Sequence, residues 1–297
     1  MDTRRRNTRL ITLGYYLTVA ITCLIYWPGL RGPFIFDDLS NILLVPQLQI
    51  TQLDFASLSK AAFWQESSSL GRPVAMLSFA LNYYFTQFDT FYFKLTNLVI
   101  HLCNGALLYW LGLRILSKLP SPSGHSALTP YYLRWVSLAI ATLWLVHPLN
   151  LTSVLYVVQR MTSLSAFFTL LGLAGYILGR ELILKDRIRG FVVIFTSLLL
   201  FSLLATLSKE NGVLLPLYML VLEIWIFRFN APSRLGNALK WYWAIVIATP
   251  IIFAVGILAT KPDALLGIFS YQYRNFTLEQ RLLTEMRALW FYLRLKL

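Results

Sequence analysis

Seven long apolar runs with short polar connections leave this chain few ways to fold. They cover roughly residues 10–27, 92–113, 133–147, 161–178, 190–207, 212–228 and 241–260. A helix that crosses a bilayer needs about 20 mostly apolar residues. Within hydrocarbon, only structures that satisfy their own backbone hydrogen bonds are tolerated. The run 133–147 is short, so it either continues past His147 or is sheltered by neighbours around a wet cavity. Only 13% of the residues are charged and 57% are hydrophobic, whereas soluble domains carry about a quarter charged residues. The expected fold class is therefore all-α: a polytopic helical membrane protein with about seven complete spans.

The charge pattern orients the spans. Arg4, Arg5, Arg6 and Arg9 precede the first run, which lacks a small-residue cleavage site and ends in Trp-Pro; it reads as an uncleaved helix with a cytoplasmic amino terminus. Alternating from there, the cytoplasmic pieces are 1–9, 114–134, 179–189 and 228–240. They hold 14 of the 26 basic residues, as cytoplasmic loops do. The formal charge of +13 is thus assigned to membrane topology, and no nucleic-acid partner is expected. The opposite face receives the long loop 28–91, the turn around His147–Arg160, the turn Lys209–Glu210 and the loop 261–285. The last segment, from near Glu285, reaches only about 18 Å as helix, short of a hydrocarbon core of about 30 Å. The chain reads as ending inside a partial eighth span, either truncated or the front part of a longer protein, with residues 1–297 one membrane-embedded domain. Cys23 and Cys103 lie in apolar runs and read as buried small side chains, with no disulfide framework.

Polar clusters gather on the outer face. In FIFDDLSNI the adjacent Asp37 and Asp38 could divide the work of a general base, one positioning and one accepting the proton; the same Asp-Asp-Leu-Ser-Asn string is also cap and turn material. Arg72, in Gly71-Arg72-Pro73 after the serines Ser67, Ser68 and Ser69, could fork onto a phosphate or snorkel to headgroups. His147, Gln159 and Arg160 are candidate phosphate partners or polar staples at helix ends. Lys209 and Glu210 are either part of that set or a solvated turn. Within the second run, Asn97, His101 and Asn104 share one helical face and read as interhelical glue, and Glu223 reads as structural. The sequence shows no metal-ligand spacing, phosphate-binding glycine loop or soluble nucleotide site, so no cofactor is expected.

FDDLSNI, GRPVAMLSFALNYYF, FKLTNLVIHLCNGALLYWL, HPLNLTSVLYVVQR and LSKENGVLLPLYMLVLEI occur in this order. The ordered set, with RLLTEMRALWFYLRL after it, resembles the transmembrane and tetratricopeptide-repeat-containing O-mannosyltransferases and their bacterial relatives, within the GT-C superfamily of glycosyltransferases. The resemblance runs from about residue 10 to 295. It implies a GT-C-like helical fold in a multi-pass membrane protein, here of the bacterial inner membrane. It also implies a catalytic acidic pair at Asp37 and Asp38, a polyprenyl-phosphate-linked hexose donor, and a hydroxyl acceptor on an exported protein or glycan. Arg72, His147, Arg160 and Lys209 match family positions near the active-site face. The family's further spans and carboxy-terminal helical repeats have no counterpart in this sequence. A polyprenyl phosphate is a competent leaving group, so an inverting displacement needs a base, cations over the phosphate and in-line geometry. Competing readings are a lipid-diphosphate-dependent oligosaccharide ligase or polymerase, a transporter or flippase, and an inert fragment or assembly partner.

Overall fold

The computed structural model describes residues 2–64, 71–119, 129–231, 233–260 and 276–295. The serine cluster Ser67–Ser69 and most of the loop 261–285 lie outside the described residues. The described residues contain helices, turns and loops, and no strand. They form α1 (Asp2–Tyr26), α2 (Phe55–Ala62), α3 (Pro73–Thr86), α4 (Thr90–Leu116), α5 (Pro130–Leu145), α6 (Leu151–Leu155), α7 (Arg160–Leu182), α8 (Arg187–Ser208), α9 (Leu215–Leu222), α10 (Ser233–Thr260) and α11 (Leu278–Leu295). Six segments are long and apolar enough to cross a membrane. A seventh, Pro130–Leu145 with Pro148–Leu155, passes as a pair bent by 53°. Helix thus resumes past His147, after a break at Pro148.

The chain divides into two compact units, Met1–Asn230 and Ala231–Leu297. In the second, α10 carries Pro250 within the helix. α11 begins at Leu278, earlier than the expected start near Glu285. The Thr277 N–H bonds Gln280 Oε1 at 3.0 Å and the Gln280 N–H returns to Thr277 Oγ1 at 3.2 Å. This reciprocal box satisfies two otherwise orphaned helix donors and fixes the start of the helix.

In the first unit, acidic caps start three helices where the sequence supplies them. Asp54 accepts from Ser57, Asp89 from Phe91 and Asp186 from Arg189, each answering an orphan N–H at a helix start. α7 and α8 form an antiparallel pair whose contact face includes Gly172, Gly175 and Gly179, where a Cβ would meet Leu215, Ser197 and Ile194 side chains. Small residues let membrane helices approach closely. At Gly212 an added Cβ would stand 2.1 Å from the Ala205 carbonyl carbon, which is backbone and cannot move aside.

The polar stripe of α4 ties this helix to its neighbours. Asn97 Nδ2 donates to the Val154 and Val157 carbonyls at 3.2 and 3.3 Å, and Asn104 Nδ2 to the Ser163 carbonyl at 3.1 Å. His101 Nε2 lies 2.9 Å from the Leu145 carbonyl, and the ring stacks on Trp144. All three are buried, so they are the interhelical glue the spacing predicts. The cysteines differ from expectation: Cys23 is half-buried and Cys103 exposed, both free. A bundle surface facing lipid tolerates an apolar thiol as readily as an interior does, so apolar surroundings in sequence did not distinguish the two.

The long loop 28–91 is folded rather than draped. Ile42, Leu48, Ala61, Met76, Phe79, Phe93, Val157 and Met161 form one buried apolar cluster, joining the loop, α3 and the starts of α4 and α7. Burying side chains of this size is worth roughly 1.5–3 kcal/mol each, enough to hold the acidic segment against the bundle. α3, predicted to lie at the interface, packs its Ala75, Met76, Phe79 and Ala80 into this cluster and is not among the candidate spans.

The opposite end of the unit is closed by ion pairs. Glu181 bonds Arg114 at 3.1 Å and Lys118 at 3.0 Å. Glu223 is fully buried, pairs with Arg180 at 2.8 Å and accepts from the Tyr176 hydroxyl. The structural role read for Glu223 agrees with this geometry.

Candidate functional site

The site is organised by seven residues, Tyr156–Thr162, where the chain leaves α6 and enters α7. A helix start leaves backbone N–H groups without partners. Here they are taken by a carboxylate distant in sequence. Asp38 Oδ1 accepts from the Val158 N–H at 2.7 Å, and Oδ2 accepts from Val157 at 3.4 Å and Ile35 at 3.1 Å. Asp38 therefore caps, from a distance in sequence, the 3₁₀ turn Val157–Gln159 that leads into α7, in the place where a negative charge is favoured by the helix dipole. It is fully buried and makes no side-chain cap to the π-helical turn that follows it, Leu39–Leu43. The cap reading of Asp-Asp-Leu-Ser-Asn thus holds for Asp38 in another sense: it caps a different helix. Burial pushes its carboxyl above the ordinary range, while the three N–H donors and the charge of Lys94 pull it back.

Asp37 differs in kind. It is exposed, its N–H donates to the Tyr156 hydroxyl at 3.0 Å, and its carboxyl interacts with the same hydroxyl. The preceding residue, Phe36, has φ +47°, a conformation costing a non-glycine residue on the order of 1–3 kcal/mol. The Phe36 ring packs edge-on to Tyr156. Strain next to a functional candidate is held only when surrounding contacts impose it, and here the Asp38 cap and Tyr156 do so.

Arg72 has the same backbone signature, φ +48°. It follows Gly71 at φ +68° and precedes Pro73, which opens α3 and disfavours the right-handed helical region at the residue before it. From this position Arg72 forks onto Glu210, Nε to Oε1 and Nη2 to Oε2 both at 3.1 Å, and its Nη1 reaches Met161 Sδ at 3.2 Å. Lys209, extended at the end of α8, donates to Thr162 Oγ1 at 2.7 Å, and Thr162 in turn donates to Gln159 Oε1 at 2.7 Å. Burial lowers the Lys209 pKa, the Arg72 charge lowers it further, and Glu210 opposes both. Asp37, Asp38, Arg72, Gln159 and Lys209 are thereby brought onto one short stretch of chain, with Glu210 joined to it through Arg72.

Two candidates sit elsewhere in the network. Arg160 is fully buried. Its Nε bonds Asn97 Oδ1 at 2.7 Å, its Nη1 and Nη2 bond the Ser78 and Phe93 carbonyls at 3.1 and 2.7 Å, and its guanidinium lies over the Phe79 ring. Its forked geometry is spent bracing α3, α4 and α7 from within, not held open toward a phosphate. His147 is exposed at the break between α5 and α6, where its Nδ1 accepts from the Leu149 N–H at 3.2 Å. Among the described residues, no hydrogen bond or ion pair joins it to the other candidates.

Sequence reasoning missed Tyr156, Thr162 and Lys94. Lys94 is buried and donates to the Gly32 and Pro33 carbonyls at 2.8 and 3.1 Å, fastening the start of the acidic loop to α4. A lysine inside an apolar run is a flag in its own right and could have found it. Tyr156 and Thr162 carry no such flag, being ordinary hydroxyl residues among many. Among the described residues, no three His, Cys, Asp or Glu side chains converge as metal ligands would.

The chain is similar to protein O-mannosyl-transferases. It is 28% identical to TMTC1 of Mus musculus over 182 residues, 58% of this chain and 18% of the relative. It is 27% identical to TMTC3 of the same organism over 206 residues, 66% of this chain and 20% of the relative, and 25% identical to F38B6.6 of Caenorhabditis elegans over 205 residues, 67% and 26% respectively. The chain thus spans about a quarter or less of the length of these relatives. No family model and no solved structure matches it.

Proposed function

We propose that this chain carries a catalytic centre that transfers a hexose, mannose-like, from a polyprenyl-phosphate-linked donor to a serine or threonine hydroxyl of an exported protein. The observation that carries the reading is the division of the acidic pair: Asp38 locked onto the start of α7, and Asp37 left exposed beside it. The O-mannosyl-transferase relatives supply the reaction class.

Asp37 is the base. It takes the proton of the acceptor hydroxyl as that oxygen bonds the anomeric carbon of the donor. The bond from this carbon to the phosphate oxygen breaks in the same step, and its electron pair leaves with the polyprenyl phosphate, inverting the centre. Arg72 and Lys209 stabilise the departing charge. Glu210 holds the Arg72 fork, and Gln159 holds the Lys209 ammonium through Thr162. Asp38 and Arg160 are positioning residues acting through the α7 junction. The site faces away from the cytosol, because the opposite end of the bundle gathers the basic connections, among them Arg114, Lys118, Arg180, Lys185, Arg187 and Arg189.

The test is transfer from a radiolabelled polyprenyl-monophosphate mannose to an acceptor peptide, using the full chain in membranes. Asp37→Asn is expected to lower kcat by about 10²–10⁴-fold, the range for a lost general base, with thermal unfolding unchanged. Asp38→Asn is expected to lower both kcat and the unfolding temperature. Equal transfer by wild type and Asp37→Asn overturns the assignment, and a requirement for a diphosphate-linked oligosaccharide donor moves the protein to the ligase or polymerase class. EDTA is expected to leave transfer unchanged; inhibition reversed by a divalent cation breaks that expectation.

A further inference from the structure

Three consecutive residues, Tyr156, Val157 and Val158, hold both members of the acidic pair, by different means. Val157 and Val158 grip the Asp38 carboxylate through backbone N–H groups, which any side chain at those positions would leave in place. Asp37 is met by a side chain: its N–H donates to the Tyr156 hydroxyl at 3.0 Å. That bond uses an acceptor lone pair of the phenol and leaves its one proton to be given elsewhere. Among the described residues, the acceptor set against that proton is the Asp37 carboxyl itself.

Little else restrains that carboxyl. Among the described residues Asp37 belongs to no ion pair. The neighbouring Ser40 and Asn41 side chains donate to its backbone carbonyl, at 3.4 and 3.0 Å, and not to its carboxylate. An exposed aspartate is otherwise free to change rotamer, whereas a general base must lie within about 2.6–3.2 Å of the proton it takes. Packing does not call for the hydroxyl either. The Tyr156 ring meets Phe36 edge-on, with centroids 6.1 Å apart, a contact that a phenylalanine ring makes equally well.

Taking Asp37 as the base proposed above, we infer that Tyr156 is a positioning residue of the transfer reaction: its hydroxyl grips Asp37 by backbone and carboxylate together. One carboxylate oxygen is fixed by the phenol, and the other is left aimed at the acceptor hydroxyl. The phenol touches neither sugar nor acceptor and acts through Asp37 alone. The strained backbone at Phe36, φ +47°, lets the two neighbouring acids part, Asp38 inward onto the α7 junction and Asp37 outward under the phenol.

Tyr156→Phe removes one oxygen atom, keeps the ring against Phe36 and leaves the backbone caps of Asp38 intact. Amide hydrogen exchange of the full chain in nanodiscs reads the grip without substrate. Exchange at Asp37 is expected to quicken roughly tenfold, the size of one hydrogen bond lost, while Val157 and Val158 keep wild-type protection. Sugar transfer reads the consequence. The kcat of Tyr156→Phe is expected to fall about 10–100-fold, as misplacement of a reacting group does, with donor KM and thermal unfolding unchanged. In an Asp37→Asn background the same substitution is expected to cost nothing further, because residues that act as a unit are not additive. Unchanged exchange at Asp37, wild-type kcat in Tyr156→Phe, or an equal loss in the Asp37→Asn background each overturns the inference. Quickened exchange at Val157 and Val158 also overturns it, by making the residue structural. Wild-type transfer by Asp37→Asn is a separate result that removes the base itself; wild-type transfer by Tyr156→Phe beside a crippled Asp37→Asn removes only the positioning role.

Discussion

Two arginine–glutamate pairs, one at each end of the first unit, show what burial does to the same chemistry. At the far end Arg180 and Glu223 meet at 2.8 Å with side chains 2% and 0% exposed. At the site end Arg72 and Glu210 meet at 3.1 Å with side chains 21% and 38% exposed. The first pair is sealed under Phe227, whose ring lies 4.8 Å from the Arg180 guanidinium, and its remaining hydrogen bonds are with the Tyr176 hydroxyl and the Asn230 carbonyl. Water and solutes reach the second pair, and under the proposed activity the donor phosphate would compete with Glu210 for the Arg72 fork. One pair is a lock, and the other is a clamp that can change hands.

The strongest way to break this contrast is at the lock. Arg180→Met leaves Glu223 buried and uncompensated, a loss of about 3–5 kcal/mol. Denaturant unfolding of the purified chain should show it, while the donor KM of the protein that remains folded stays at its wild-type value. A changed KM would mean that the far end takes part in donor binding.

At the clamp, Arg72→Lys keeps the charge and removes the planar fork. We expect donor KM to rise roughly tenfold, in line with a charge-assisted hydrogen bond worth about 1.5–3 kcal/mol, with unfolding little altered. Unchanged KM with lowered stability would make the Arg72 pair a second lock and erase the distinction.

The smallest effect is in pH. The folded pKa of Lys209 is lowered from 10.5, so its ammonium is lost as pH rises through that lowered value, before a free lysine would titrate. Donor affinity should fall on an alkaline limb lying below 10.5, and Lys209→Arg should move that limb upward. Stability runs the other way. Between the lowered pKa and 10.5 the unfolded chain binds more protons, so unfolding free energy rises with pH. A donor-affinity profile and an unfolding profile with opposite slopes in that window identify the group; parallel slopes point to another.

The spans were legible because hydropathy is a sum over many residues and survives local error. The break at His147–Pro148 was half-legible: the short run and the proline were visible, but the 53° bend and the resumption of helix after it depend on Asn97 and His101, which take up carbonyls on either side of the break. Within the site, residue types pointed to Asp37, Asp38, Arg72 and Lys209, but their division of labour did not show. The partners of Asp38 are backbone N–H groups of Val157 and Val158, which any sequence could supply at any position. Arg160 looked like Arg72 on paper. What separates them is burial and a set of carbonyl partners contributed by α3 and α4, which only the folded chain brings together.

The broken fifth helix has a consequence for biosynthesis. Sixteen residues, Pro130–Leu145, rise about 24 Å as helix, less than a hydrocarbon core of about 30 Å. A nascent segment of that length is poorly committed to the bilayer when it leaves the translocon by itself. His101, on the helix synthesised before it, bonds the Leu145 carbonyl where the segment ends. Docked against α4, the short segment gains a partner for its terminal carbonyl, so its hold in the bilayer leans on the helix made before it.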